Sequence, residues 1–74
     1  MSNVNFEIVK HIHRFPCEEN ALWHKELNLV SWNRKAPKYD IRDWTEGHTH
    51  PERGTTLSMD ELRELIEVAE SLVY

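Results

Sequence analysis

Apolar and polar side chains alternate along the first part of the chain, with the period of two that is typical of β-strands. In residues 4–15, Phe6, Ile8 and Ile12 share one parity, whereas His11 and other polar side chains have the opposite parity. The pattern predicts a first strand with one apolar face.

Two further segments, 23–33 and 38–44, alternate in the same way and predict a second and a third strand. Between them lies a polar turn that ends in Pro37, which cannot donate to a central sheet ladder. One face of these strands carries Leu27, Leu29, Tyr39 and Ile41. The other face carries His24, Asn28, Trp32, Lys38, Arg42 and Trp44.

The second half of the chain changes from a polar loop to a helical pattern. Residues 46–54 predict the loop, and residues 54–57 predict a short fourth strand. Ser58 and Glu61 have the spacing of a capping box, which predicts a helix over 59–73. The apolar stripe of this helix, which we expect to serve the core and a dimer contact, comprises Leu62, Leu65, Ile66, Ala69, Leu72 and Val73.

This order predicts one α+β domain over residues 1–74, with a four-stranded antiparallel curved sheet followed by one C-terminal helix (ββββα). We expect the helix to cover the apolar face of the sheet and the face with Trp32 and Trp44 to stay open. Antiparallel sheets tolerate one solvated face, but a tryptophan-bearing solvated face indicates a ligand. The small size and the apolar stripe favour a homodimer.

Composition narrows the class of protein. The chain has 74 residues and a single cysteine, so no intrachain disulfide forms. We find no signal-peptide pattern and no run of about 20 apolar residues, so a cytoplasmic protein without a membrane segment is expected. The net charge is -4. Residues 23–44 carry a net charge of +2, however, while residues 45–74 carry -5.

All three tryptophans lie within the basic segment 23–44, at Trp23, Trp32 and Trp44. Rings interleaved with cations are what single-stranded nucleic acid requires, because bases stack on rings and phosphates follow cations. Two alternatives stay open at this point. Trp32 and Trp44 could instead pack at a dimer seam or under a loop, and Arg42 could form an ion pair with Asp40. For Trp23, packing in the core or at an interface is favoured.

Three pieces of sequence, KELN at 25–28, VSWN at 30–33 and PKYDIR at 37–42, carry a resemblance, together with the Thr-Leu-Ser junction into the helix. They resemble the bacterial YdbC-like branch of the transcriptional coactivator family called positive cofactor four. The resemblance implies a ββββα homodimer that binds single-stranded DNA with little sequence preference.

The resemblance also implies roles for individual residues. Arg42 falls on a DNA-contacting arginine, Trp32 is the nearest match to a base-stacking aromatic, and cations near the following hairpin hold phosphates. Asn28 stands where an arginine is expected, which gives stacking more weight. The candidate nucleic-acid-binding residues are Lys25, Asn28, Trp32, Asn33, Arg34, Lys35, Lys38, Arg42 and Trp44.

Other functions are less well supported by the sequence. The His-x-His pairs at 11–13 and 48–50, with Cys17, are compatible with a metal, but the spacing is nonspecific and surface histidine is favoured. No catalytic residue, metal or cofactor is expected. The predicted function is low-specificity binding of single-stranded DNA in transcription regulation, replication or repair, with RNA as an open alternative ligand. The alternative function is a module that docks a transcription or repair protein through its open sheet.

Overall fold

The computed structural model describes residues 5–73, and within them the predicted ββββα order is confirmed. The start of the first predicted strand at residue 4 and both ends of the predicted domain lie outside this range. The elements are β1 Phe6–Arg14, β2 His24–Trp32, β3 Lys38–Trp44, β4 Pro51–Leu57 and α1 Met59–Val73. The strands form one antiparallel sheet in the order β1-β2-β3-β4.

The β2–β3 connection is a tight turn immediately after Trp32. Asn33 and Arg34 have φ angles of 51° and 63°, and the Lys35 amide donates to the Trp32 carbonyl over 2.9 Å. Two left-handed residues closed by this bond are the features of a type I′ turn. The turn therefore projects basic side chains from the end of β2.

β4 is longer than the sequence predicted. It begins at Pro51 rather than at residue 54, because proline is tolerated as the first residue of an edge strand. Gly54 lies opposite Arg42, and a β-carbon on Gly54 would lie 2.5 Å from the Ile41 carbonyl oxygen. The close approach of β4 to β3 thus requires glycine at this position.

β1 departs from simple alternation at two irregularities, one between Ile8 and Lys10 and one between His11 and His13. The first of these bulges moves His11 to the face of Ile8, where it pairs with Asn28 of β2. The prediction that His11 faces away from the apolar side chains of β1 is therefore wrong, since a bulge adds one residue to the period.

The sheet curls strongly, so that residues of β1 reach across to β3. The ring of Phe6 lies 5.3 Å from that of Trp44 and 5.8 Å from that of Trp32, measured between centroids. Bulges increase strand bending and twist, which is consistent with this curl. We call the concave side the inner face. Its fully or nearly fully buried side chains are His24, Glu26, Asn28, Val30, Asp40 and Trp44.

The inner face carries the parity that was expected to remain open, so that expectation is wrong. The grouping of side chains into two faces along β2 and β3 is confirmed, because cross-strand partners such as His24 and Trp44 share a face. What differs is which face the protomer buries. The curl of the sheet encloses the polar parity, while Leu27 and Leu29 on the other face stay partly exposed.

The helix begins with the predicted capping box. The Glu61 amide donates to Ser58 Oγ over 3.1 Å, and the Ser58 amide donates to Glu61 Oε1 over 2.8 Å. The prediction that the helix covers the sheet is wrong within the protomer. Among residues 5–73 the helix contacts only β3 and β4, and none of its described side chains is buried. No helix in this range is long and apolar enough to cross a membrane.

Candidate nucleic-acid interface

A cleft of about 440 Å³ opens beside the β2–β3 turn. It combines a large aromatic ring, three cations and small side chains from β4. The cleft is lined by Trp32, Lys35, Ala36, Lys38, Arg42, Pro51 and Thr56. Four of the nine predicted nucleic-acid-binding residues thus meet in one depression, although they come from two strands and a turn.

Trp32 forms the aromatic wall of the cleft, and Arg42 lies over its ring. The guanidinium carbon is 4.7 Å from the ring centroid, which is the geometry of a cation–π contact. Phe6 packs against the same ring. The platform that the cleft presents is therefore composite, made of the accessible part of the indole and the planar guanidinium beside it.

Arg42 is held in place by two further partners. Its Nε and Nη2 donate to the carboxylate of Asp40 over 3.0 and 2.9 Å, and its Nη1 donates to the Glu52 carbonyl over 2.8 Å. The ion pair with Asp40, which the sequence leaves open as the alternative for Arg42, is present in bidentate form. Because Asp40 neutralises it, Arg42 contributes a fixed planar surface more than a free positive charge.

The free positive charge comes from the turn. Lys35 and Lys38 are exposed and line the cleft, and Arg34 is exposed at the tip of the turn beside Asn33. Within residues 5–73, neither lysine forms an ion pair, nor does Arg34. Cations without an ion-pair partner, next to an aromatic platform, suit a ligand that has both phosphates and aromatic bases. Phosphate contacts and stacking then act together.

Three of the predicted residues lie elsewhere. Lys25 is on the outer face of β2, where its Nζ donates to Asp43 over 3.1 Å. Asn28 is fully buried and Trp44 has no exposed surface. An exposed aromatic side chain does exist outside the cleft, since Trp23 is 50% exposed in the protomer. Packing of Trp23 in the protomer core is therefore wrong, whereas its packing at an interface stays a prediction.

Trp44 belongs to the core of the protomer. Its ring lies 5.3 Å from Phe6 and 5.2 Å from His48, and His24 is its cross-strand partner. Its Nε1 finds no hydrogen-bond acceptor among the described residues. A side chain enclosed in this way offers no ring face to a base, so we withdraw Trp44 from the stacking surface.

A polar network lies beside Trp44 on the inner face. Glu26 accepts hydrogen bonds from His24 over 2.5 Å, from His48 over 2.8 Å and from Asn28 over 3.0 Å. Burial raises the pKa of the Glu26 carboxyl, but the hydrogen bonds from Asn28, His48 and His24, with the charge of His48, outweigh it and lower the pKa to about 2. Glu26 is therefore a carboxylate at neutral pH.

The histidines are distributed differently from the predicted pairs. His11 and His48 turn toward the inner face, whereas His13 packs edge-on against Phe15 and His50 faces Glu52. Neither His-x-His pair therefore acts as a chelating pair, and surface histidine is the wrong interpretation for His48. Cys17 is exposed and belongs to no described cluster.

Sequence reasoning missed several contributors. Pro51 and Thr56 line the cleft because β4 is longer than expected, and the start of β4 carried no alternating signal. The network around Glu26 had a visible signal, since His24, Glu26 and Asn28 occupy alternate positions of one strand. That spacing was interpreted as a solvated face, although it equally suits mutually bonded polar groups inside a curled sheet.

Comparison with known proteins identifies the family. Residues 20–68 match the family model described as Transcriptional Coactivator p15 (PC4). The chain belongs to this family. Over 50 residues it is also 36% identical to an uncharacterized protein of Treponema pallidum (strain Nichols), in an alignment that covers 68% of this chain and 59% of that protein. The match thus spans less than two thirds of the relative's own length.

The PC4 family is a family of DNA-binding proteins rather than enzymes. Its members in general bind single-stranded DNA and act with transcription proteins. The family resemblance inferred from the central motifs is therefore confirmed. The roles of individual residues, and the placement in a bacterial YdbC-like branch, stay predictions.

Proposed function

We propose that this chain is a homodimeric single-stranded DNA-binding protein of the bacterial branch of the PC4 family, acting in transcription regulation with little sequence preference. The cleft carries this proposal. It joins the Trp32–Arg42 platform to the exposed cations Lys35 and Lys38. Membership of the PC4 family supports the ligand class, and the relative in Treponema pallidum supports a bacterial setting.

In the proposed complex a base stacks on the accessible part of Trp32 and on the guanidinium of Arg42. Lys35, Lys38 and Arg34 hold the flanking phosphates. Duplex DNA binds less well, because its paired bases cannot leave the helix stack to reach the platform. The acidic C-terminal half keeps the chain negative overall, but salt screens charges beyond about 8–10 Å, so the local field of the turn governs phosphate binding.

Dimerisation is supported by the exposed helix stripe. Ile66 is 52% exposed and Leu72 is 78% exposed, although both belong to the apolar side of an amphipathic helix. A stripe of this kind normally packs against another element. We propose that a second copy of the chain covers it around a two-fold axis, which also brings two clefts into one assembly.

The salt dependence of DNA binding tests the proposed ligand. Phosphate contacts release counterions, so log K falls with log salt by about 0.7 for each phosphate held on a single strand. We expect wild-type protein to bind an oligothymidine of about twenty nucleotides with this behaviour. Changing Lys35 and Lys38 together to alanine is expected to reduce the slope by about 1.4. Anisotropy of a labelled oligonucleotide at several salt concentrations measures it.

Lys25→Ala is the matched control, because this lysine is exposed but lies on the outer face and is paired with Asp43. It should leave the slope unchanged. A wild-type affinity that ignores salt would contradict the phosphate contacts and would favour a protein-docking module. Duplex of the same length that binds as well as the single strand would contradict stacking, and a matched oligouridine tests whether RNA competes.

The dimer is tested by a charge in the helix stripe. Ile66→Lys is expected to convert a dimer into a monomer, because a buried ammonium without a partner costs several kcal/mol. Sedimentation equilibrium measures the mass. Glu67→Lys places the same side chain one position away, outside the predicted stripe, and should leave the dimer intact. A wild-type monomer at micromolar concentration, or an equal effect of both variants, would contradict the proposed interface.

A further inference from the structure

Two imidazole rings converge on one carboxylate at the side of the inner face where the β3–β4 loop folds over β2. His24 Nε2 lies 2.5 Å from Glu26 Oε2, and His48 Nε2 lies 2.8 Å from the same oxygen. His24 and Glu26 are buried, while the side chain of His48 is 37% exposed. The cluster therefore has two buried members, His24 and Glu26, and one member, His48, that is in contact with solvent.

Nitrogen and oxygen ligands at this spacing fit a divalent transition metal. One ligand atom from each residue lies within 4.8 Å of the other two. Zn²⁺ binds such atoms at about 2.0–2.2 Å, so tetrahedral ligands stand roughly 3.4 Å apart. We propose that His24, Glu26 and His48 form a zinc-binding site. Relative to that spacing, His24 Nε2 and His48 Nε2 stand closer to Glu26 Oε2 by roughly 0.9 and 0.6 Å, so both imidazoles move outward from the carboxylate to admit the ion.

Side chains that bond to these ligands orient them, as the outer hydrogen-bond partners of metal ligands do in zinc proteins. Asn28 Nδ2 donates to Glu26 Oε1 over 3.0 Å, which leaves Oε2 directed at the two imidazoles. His11 Nδ1 in turn bonds Asn28 Oδ1 at 2.7 Å. On the far side of His24, its Nδ1 lies 4.0 Å from the carboxylate of Glu46, an exposed side chain that can close on it.

The chemistry of the ligand set selects the ion. Imidazole nitrogens suit Zn²⁺ and similar transition metals, whereas Mg²⁺ and Ca²⁺ prefer oxygen ligands throughout. Glu26 supplies the carboxylate oxygen of the set, since its Oε2 already faces both imidazoles. When an imidazole binds the ion through Nε2, its Nδ1 carries the ring proton. For His24, Glu46 is the available acceptor for that proton.

The ion would join two parts of the fold that otherwise meet through hydrogen bonds and an edge-on contact between the rings of His24 and His48. His24 and Glu26 belong to β2, while His48 lies in the β3–β4 loop with a left-handed φ of 54°. Trp44 packs against His48 with ring centroids 5.2 Å apart. Zinc binding therefore fixes the loop over the inner face and stabilises the folded chain by mass action.

Calorimetric titration of the chelator-treated full chain with zinc chloride tests the site. We expect saturable binding of one ion per chain and a rise in the midpoint of thermal unfolding, with no rise for magnesium. His48→Gln is expected to weaken zinc binding by about tenfold or more. His50→Gln is the matched control two residues away, and Cys17→Ser controls for the exposed thiol. Both should bind zinc as the wild type does.

A second measurement uses only wild-type protein, so it does not depend on whether a variant folds. It records the visible absorption of Co²⁺ added in place of zinc. Co²⁺ bound by two imidazoles and a carboxylate in a low-coordinate site gives visible bands, which one equivalent of zinc should abolish. The proposal is overturned if wild type shows no saturable zinc binding and no such bands. It is also overturned if folded His48→Gln binds zinc like wild type, or if His50→Gln or Cys17→Ser loses as much affinity, since binding would then be to surface groups.

Discussion

Replacing Trp44 with alanine is expected to lower the free energy of unfolding by about 3–5 kcal/mol. The ring has no exposed surface and packs between Phe6 and His48, so its loss opens a cavity on the inner face. Domains commonly have only about 5–15 kcal/mol of stability in total, so this loss removes a large share of the free energy of unfolding. Urea denaturation followed by far-ultraviolet circular dichroism measures the loss.

Trp23→Ala is the matched control for this experiment, since the same side chain is removed from a half-exposed position. It should cost less than about 1 kcal/mol. Trp44→Phe, which keeps most of the apolar volume, should remain folded and bind single-stranded DNA like wild type. A stable Trp44→Ala protein that has lost DNA binding would contradict the buried position and return Trp44 to the interface.

The sequence was sufficient to sort side chains into faces, but not to decide which face is inside. Along β2 and β3 the alternation correctly separates Leu27 and Leu29 from His24, Asn28 and Trp44. The usual rule then buries the leucines. That rule fails here because the polar side chains bond to one another, with Asn28 joining His11 to Glu26, so their burial leaves few groups without partners.

The irregularities of the strands also could not be predicted from the period-two alternation of apolar and polar residues. The bulge after Ile8 reverses the face of His11, and only the pairing of β1 with β2 reveals it. Similarly, Pro51 is predicted to lie in the polar loop of residues 46–54, yet it opens the edge strand β4, where proline is tolerated as the first residue. Both features depend on contacts between segments that are distant along the chain.

Local signals were the most reliable. The helix bounds 59–73 and the capping box of Ser58 and Glu61 were predicted correctly, because both depend on residues within one turn. The element that covers the helix was not predicted correctly. An apolar stripe indicates that the helix packs against a partner, but it does not identify that partner. The exposed stripe with Ile66 and Leu72 is what led us to propose a second copy of the chain.

Trp32 and Trp44 had the same parity and the same predicted role, and the curl of the sheet separates them. Trp44 lies opposite His24, where the enclosed part of the inner face is deepest. Trp32 ends β2 directly before the turn, so part of its ring faces the cleft beside Lys35. Residue type and motif could predict a stacking aromatic, but the choice between the two rings depends on the curl of the folded sheet.

Trp32→Ala is accordingly expected to weaken binding of single-stranded oligothymidine by about 5- to 150-fold, which corresponds to the 1–3 kcal/mol that a stacked base contributes. The contribution of Arg42 to the affinity should fall as well, because the Trp32 ring over which its guanidinium is positioned is removed. The salt slope should change little, since no free cation is removed and Lys35 and Lys38 remain. Anisotropy titrations of folded protein at two salt concentrations measure both quantities.

The companion variants separate stacking from a general loss of structure. Trp32→Phe keeps an aromatic face and should retain most of the affinity. Trp23→Ala removes an indole that does not line the cleft, so this variant should bind like wild type. If Trp32→Ala is folded and binds the oligonucleotide unchanged, the cleft is not where bases stack. If Trp23→Ala shows the larger loss, the nucleic acid instead follows the surface near Asp43 and Arg53, beside the exposed Trp23.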